Sequence, residues 1–345
     1  MKKVCSFLTF SILSTLILAQ ATQAPIVVQN ASSARVFSTI ADAYNAAVDG
    51  DNLYLPGGNF LLQNSGLFVW NKRLNVFGFG YRPDSAVATG ISTINSPIAF
   101  DAGASGSYFS GVNLSPISTT AAITDLTFSR CKLVGIDWRP SLSSSNLIFN
   151  ACVASVVSSN NAQYIFSLGN IQFTNCIVGT PWGFTNPLPS SGTPKLQFSN
   201  CFIMYQCQCS GLYLFDAAHS NVTLTNSIVF TAAESIVTGS GYSFVNNLFV
   251  GPSAAINFNV TANPGNTIQD LSFQSSVFTN QSGFSYNLSH DYHPKAGCNC
   301  SDKGVYSGST PFKDVPEVPY IVEREVNARP TTNQLPFRFR VRTNN

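Results

Sequence analysis

Charge is what this 345-residue chain has least of. Lys, Arg, Asp and Glu together supply 10% of the residues, where globular domains average about 25%. The 18 basic and 16 acidic residues leave a formal charge of +2. They form no basic stripe through the body of the chain, which excludes the electrostatic footprint that a nucleic-acid partner needs. The one basic run, Arg338, Arg340 and Arg342, stands at the extreme C-terminal end. Acids are just as thin. Between Pro140 and Leu288 the charged residues are Lys195, Asp216, Glu234 and Asp270. That scarcity counts against two carboxylates flanking a glycosidic bond and against a carboxylate cage for Ca²⁺. No cofactor and no metal centre are expected.

Long apolar runs are missing as well once the first twenty or so residues are passed. Those residues open with Lys2 and Lys3, continue through FLTFSILSTLILA and reach the small-residue site Ala19-Gln20-Ala21, the pattern of a secretory signal peptide. The expectation is an exported chain, cleaved after Ala21 and released to the periplasm or the extracellular space. No later segment approaches about 18 apolar residues, so the mature part is expected to have no membrane span. Disorder is excluded by composition, because 44% hydrophobic residues can bury a sizeable core.

What is present is a repeat. FSRCKL begins at Phe128, FNACVA at Phe149, FTNCIV at Phe173 and FSNCFI at Phe198, and the series goes on as LTNSIV, FVNNLF and FQSSVF. The column Cys131, Cys152, Cys176, Cys201, Ser227, Asn247, Ser276 advances by 20 to 29 residues per step, a period that means a stacked array. Each unit is a short Phe- and Val-rich strand followed by Gly, Ser, Pro and Asn, with no amphipathic helical stretch of ten residues between units. The leucine-rich signature is absent. Strands of this kind stack on their equivalents about 4.8 Å apart, so the cysteines read as small buried side chains that Ser replaces. The neighbouring Asn175, Asn200, Asn226 and Asn246 read as a ladder of amides, each bonding the next.

Before the repeat, FSTIADAYNAAVDG reads as a short helix with Ser38 as N-cap and Gly50 at its end, covering the exposed end of the stack. After Gly308, Pro311, Pro316 and Pro319 mark an extended exit. YIVEREV and FRFRVR then alternate as a pair of strands. The chain divides into a signal peptide (1–21), an N-terminal segment with the capping helix (22–50), the body (51–310) and a C-terminal extended segment or strand flap (311–345).

GDNLYLPGGNF, LNVFGFGYRPD, the repeated Phe-x-Asn-Cys-x-Val units and DYHPKAGCNCSDKGVYSG together resemble the secreted bacterial right-handed parallel β-helix proteins of the pectin-lyase-like superfamily, over roughly residues 35–312. The resemblance implies an all-β fold, a right-handed solenoid of about ten coils. It does not settle function, because the superfamily holds polysaccharide lyases, glycoside hydrolases and proteins of no known activity. Resemblance to pectate lyases would imply acids that hold Ca²⁺ beside an Arg or Lys base, and this chain departs from that pattern. Asp216 and His219 make an acid–base pair or, the favoured reading, a surface hydrogen bond.

Two function classes therefore stand. The favoured one is a non-catalytic secreted or surface protein with an adhesive or glycan-binding role and an extracellular polysaccharide or surface glycan as partner. The alternative is a polysaccharide lyase or hydrolase. The candidate binding residues are Trp138, Arg139 and Trp182. Each tryptophan follows a column cysteine by 6 to 8 residues, which places the two rings on one flank. There they either stack on sugars, with Arg139 beside them, or pack the loops. Cys207, Cys209, Cys298 and Cys300 lie outside the column. In an exported chain they read first as disulfides tying loops, with a zinc site as the alternative, and no pairing is assigned.

Overall fold

The computed structural model describes residues 25–81, 90–137, 144–156, 170–180, 196–206, 214–215, 222–232, 236–237, 242–252, 264–307, 320–326 and 337–342. Two long sheets, of 11 and 13 strands, account for most of the strands among them. From Thr127 onward the chain visits the two sheets alternately. Thr127–Ser129, Leu147–Asn150, Ile171–Thr174, Leu196–Ser199, Val222–Thr225 and Tyr242–Val245 pair in parallel in the first sheet. Lys132–Asp137, Val153–Val156, Ile177–Thr180, Phe202–Tyr205, Ile228–Thr231, Leu248–Val250 and Thr267–Gln269 do so in the second. One strand of each sheet per sequence repeat is consistent with a parallel β-helix. Ile26–Gln29 and Ala34–Phe37 extend the first sheet antiparallel at its N-terminal end. The strands Tyr320–Val326 and Phe337–Arg342 form a separate antiparallel pair.

The repeat owes its shape to its corners. At the end of each first-sheet strand from Tyr108–Ser110 to Tyr242–Val245 sits one residue of positive φ: Gly111, Arg130, Ala151, Asn175, Asn200, Asn226 and Asn246, with Gly265 taking the same conformation one step further on. Among side-chain-bearing residues Asn enters this left-handed region most readily, so the conformation itself explains why Asn recurs there. The amide ladder expected of these residues is seen between two of them, where Asn246 Nδ2 donates to Asn226 Oδ1 at 2.9 Å. The residue after each corner points inward. Cys131, Cys152, Cys176, Cys201, Ser227 and Asn247 are all fully buried.

These inward side chains satisfy the backbone they face. The Cys152 N–H donates to Cys176 Sγ at 3.4 Å, Cys201 N–H to Ser227 Oγ at 3.0 Å, Ser227 N–H to Asn247 Oδ1 at 2.8 Å and Asn247 N–H to Asn266 Oδ1 at 2.9 Å. The thiols also donate to carbonyls, as Cys201 Sγ does to Phe173 O at 3.3 Å. The column thus ends on Asn266, not on Ser276 as its spacing suggests. Ser276 lies in the short helix Gln274–Val277, because the last repeat is only 19 residues long. Burial pushes the thiols of Cys131 and Cys176 well above the ordinary range. Cys152 is equally buried, and its Sγ donates to Phe128 O and Asn150 O at 3.4 Å, as a protonated thiol does. These cysteines are therefore inert packing groups. A bulky thiol reagent should leave all four column cysteines unlabelled without denaturant. Cys201→Ser should cost about 1 kcal/mol in a urea melt, while Cys201→Phe overpacks the corner and disrupts the fold.

Beside the cysteines, Phe109, Phe128, Phe149, Phe173 and Phe198 are fully buried or nearly so, each worth about 1.5–3 kcal/mol of apolar burial. From Phe128 to Phe198 successive rings stack 4.6–5.3 Å apart with planes only 8–9° apart. At the N-terminal end the helix α1 spans Ile40–Ala46 and buries Ile40, Ala43 and Tyr44. Its N-cap is Thr39, not Ser38: Thr39 Oγ1 accepts the Asp42 N–H at 3.1 Å. It ends at Ala46, short of Gly50, because Ala47 turns extended and Lys72 Nζ donates to the carbonyls of Tyr44, Asn45 and Ala47.

Residues 271–307 do not add strands to either long sheet. They fold back over the outside of the second sheet, where Phe202, Met204, Ile228, Phe230, Leu248 and Val250 meet Val277, Phe278, Tyr292, Cys298, Cys300 and Val305 in a second core. The return path is marked by three contacts in reverse order. Asp302 accepts from Asn246 Nδ2 at 2.9 Å, Gly304 N–H donates to Asn226 O at 2.7 Å and Ser307 Oγ donates to Asn200 Oδ1 at 3.3 Å. Cys298 and Cys300 are bonded to each other within this cover, while Cys207 and Cys209 lie outside the described residues. The Asn246 amide, then Lys303, holds the Asp302 carboxyl below its ordinary value. A depressed carboxyl stabilises above its unfolded pKa and ceases to as pH falls through the lowered one. Proteolysis of the cover should therefore rise as pH drops below about 4, and Asp302→Asn should flatten that dependence.

Candidate functional site

The inward Phe column fixes what faces out on the first sheet, because neighbours in a strand point to opposite faces. On one side of the column the outward residues run Thr127, Ile148, Gln172, Gln197, Thr223, Ser243. On the other they run Ser129, Asn150, Thr174, Ser199, Thr225, Val245, all placed by the strand register. From Asn150 and Gln172 onward both columns are partly or well exposed. Ten of these twelve residues are amides or hydroxyls and none carries a charge. Along the stack the rungs repeat at about 4.8 Å, and across each strand the two columns stand about 6.6 Å apart. Ser199 Oγ and Thr225 Oγ1 meet at 3.1 Å, which links neighbouring rungs.

Two further properties make this face distinctive. The strands pair in parallel without a register shift from Thr127 to Val245, so each outward column continues unbroken along the stack, and beneath Thr127–Ser199 the inward Phe rings lie with planes 8–9° apart. Towards its N-terminal end the same face turns aromatic. Tyr54 stacks on Phe77 with centroids 5.3 Å apart and Phe77 meets Tyr108 at 5.8 Å, all three partly exposed. An uncharged surface with an aromatic end offers hydrogen bonds and ring stacking to a neutral polyhydroxylated ligand.

A second group of chemistry-bearing residues lies on the cover. In the strand Asp291–Pro294, His293 Nδ1 bonds Asp291 Oδ1 at 2.6 Å, with both side chains exposed. The His293 ring stacks on Tyr306 at 3.8 Å and 16°. The carboxylate orients the imidazole so that Nε2 is left for other partners, the geometry of an oriented base. Residues two apart in a strand share a face, so DYH carried this pair in its spacing.

Trp138, Arg139 and Trp182, as well as Asp216 and His219, lie outside the described residues. Among the described residues no group of three or more His, Cys, Asp or Glu is arranged to hold a metal ion, and no helix is long and apolar enough to cross a membrane. No family model matches the chain and no curated protein matches it.

Proposed function

We propose that this protein is an exported right-handed parallel β-helix of the pectin-lyase-like kind, capped by α1, that binds an extracellular glycan without cleaving it. The observation that carries the reading is the outer face of the first sheet, a run of uncharged amides and hydroxyls in register with aromatic rings at one end. Such a face matches a sugar polymer, whose hydroxyls both donate and accept and whose ring faces stack on aromatics. The chain's shortage of carboxylates agrees with binding in place of hydrolysis. Trp138, Arg139 and Trp182 belong to the same proposal as a second aromatic contact on a flank.

The alternative, a polysaccharide lyase or hydrolase, draws on one observation, the oriented Asp291–His293 pair. The two readings part in a single experiment. The purified chain is tested for retention on a panel of neutral and uronate polysaccharides, and for release of unsaturated product or reducing ends with and without Ca²⁺. Retention without release is expected, with affinity reduced when Trp138 and Trp182 are both replaced by alanine. Calcium-dependent product from the wild-type chain, lost in His293→Ala, would establish the alternative.

A further inference from the structure

We infer that the ligand of the first-sheet face is a neutral, extended, β-linked polysaccharide lying along the stack, about one sugar per repeat, with its end on Tyr54, Phe77 and Tyr108. This rests on the glycan-binding reading above and narrows it to a polymer class and a direction. Three observations set the class. First, none of the twelve outward residues described on this face carries a charge. An anionic polymer would find no counter-charge at those positions, whereas uronate recognition is the work of Arg, Lys or a bound cation. Second, the rungs recur at the strand spacing of about 4.8 Å, close to the advance per sugar of an extended ribbon of equatorially linked hexoses. A curled α-linked chain would leave the register after a few residues. Third, parallel pairing without a register shift from Thr127 to Val245 keeps successive rungs in line, as a straight ribbon requires.

The direction follows from the same register. Gln172 and Gln197 are cross-strand partners, so their amides offer the same donor and acceptor set to successive sugars of a chain running along the axis. A chain lying along a single strand would meet only that strand's two outward residues and gain nothing from the length of the sheet. Axial binding makes affinity a function of chain length. It also makes affinity insensitive to salt, since no ion pair is formed.

The test is calorimetric titration of the full chain with β-1,4-glucan and β-1,4-mannan oligosaccharides of two to eight residues, beside oligogalacturonates of the same lengths. Affinity for at least one neutral series should climb with each residue to about six. It should be unchanged between low and high salt and fall about tenfold, or 1.4 kcal/mol, in Gln172→Ala/Gln197→Ala with the melting temperature preserved. Tyr54→Ala should shorten the length at which affinity levels off. Neutral binding that is already maximal at two residues, or a preference for the oligogalacturonates, would overturn the axial neutral-polymer assignment while leaving glycan binding in place. Failure to bind any member of the wider polysaccharide panel would overturn both.

Discussion

Asn247→Leu is expected to destabilise the protein by about 2–6 kcal/mol, among the largest effects available to one substitution that keeps the branched outline of the side chain. Asn247 is fully buried. Its Oδ1 takes the Ser227 N–H at 2.8 Å, and its Nδ2 donates to Leu224 O at 2.9 Å and to Asn266 Oδ1 at 3.0 Å. Leucine fills the same space and leaves a backbone N–H and a backbone carbonyl buried without these partners, at about 1–3 kcal/mol each. The amide therefore substitutes for solvent at a corner that water does not reach. A urea melt should show the loss as a lower midpoint, with Gln172→Leu on the outer face as a control that shifts it little. Equal midpoints for the two variants would mean that the corner accommodates an unpaired backbone and that the hydrogen-bonded column is incidental.

The same corner shows what the sequence makes legible and what it hides. The Phe and Cys columns can be read because both recur once per repeat and because burial selects residue type at those positions strongly. The Asn before Cys176, Cys201, Ser227 and Asn247 is visible as a pattern, but its reason, a backbone in the left-handed region, has no signature other than Asn itself. The end of the column slipped from Asn266 to Ser276 because periodicity predicts a position only while the repeat length holds. The outward Thr, Ser, Gln and Asn residues are equally periodic, yet no one of them is chemically conspicuous beside Trp138 and Trp182. The site is a property of register, which a linear reading sees only after the strands have been aligned.

The cover was the least legible part, and it sets up the second prediction. Apolar runs such as Phe202-Ile203-Met204-Tyr205, buried at every position, announce a strand covered on both faces. What covers them occurs once in the chain and so carries no repeat to find. Phe278 is its principal anchor, 3% exposed, with its ring 4.7 Å from Phe202, 5.7 Å from Phe230 and 5.8 Å from Tyr292. Phe278→Ala should cost about 3–5 kcal/mol, but the cost should fall unevenly.

The long sheets have their own core, closed by the inward Phe column, whereas the cover's described hydrogen bonds to the corner residues number few beside its apolar contacts. Weakening those contacts should release residues 271–307 as a local unit while the sheets stay folded. Hydrogen exchange should then rise across 271–307 and stay slow at Phe128–Phe198. A dye that binds apolar surface should report the uncovered strip at Phe202, Met204, Ile228 and Phe230, and the protein should self-associate, because a contiguous exposed apolar patch of that kind is an aggregation site. The glycan binding proposed for the first sheet should survive in the monomeric fraction, since the cover lies on the other sheet. Uniform acceleration of exchange through both segments would instead make the cover part of a single cooperative core, and the two sheets would then depend on it for their fold.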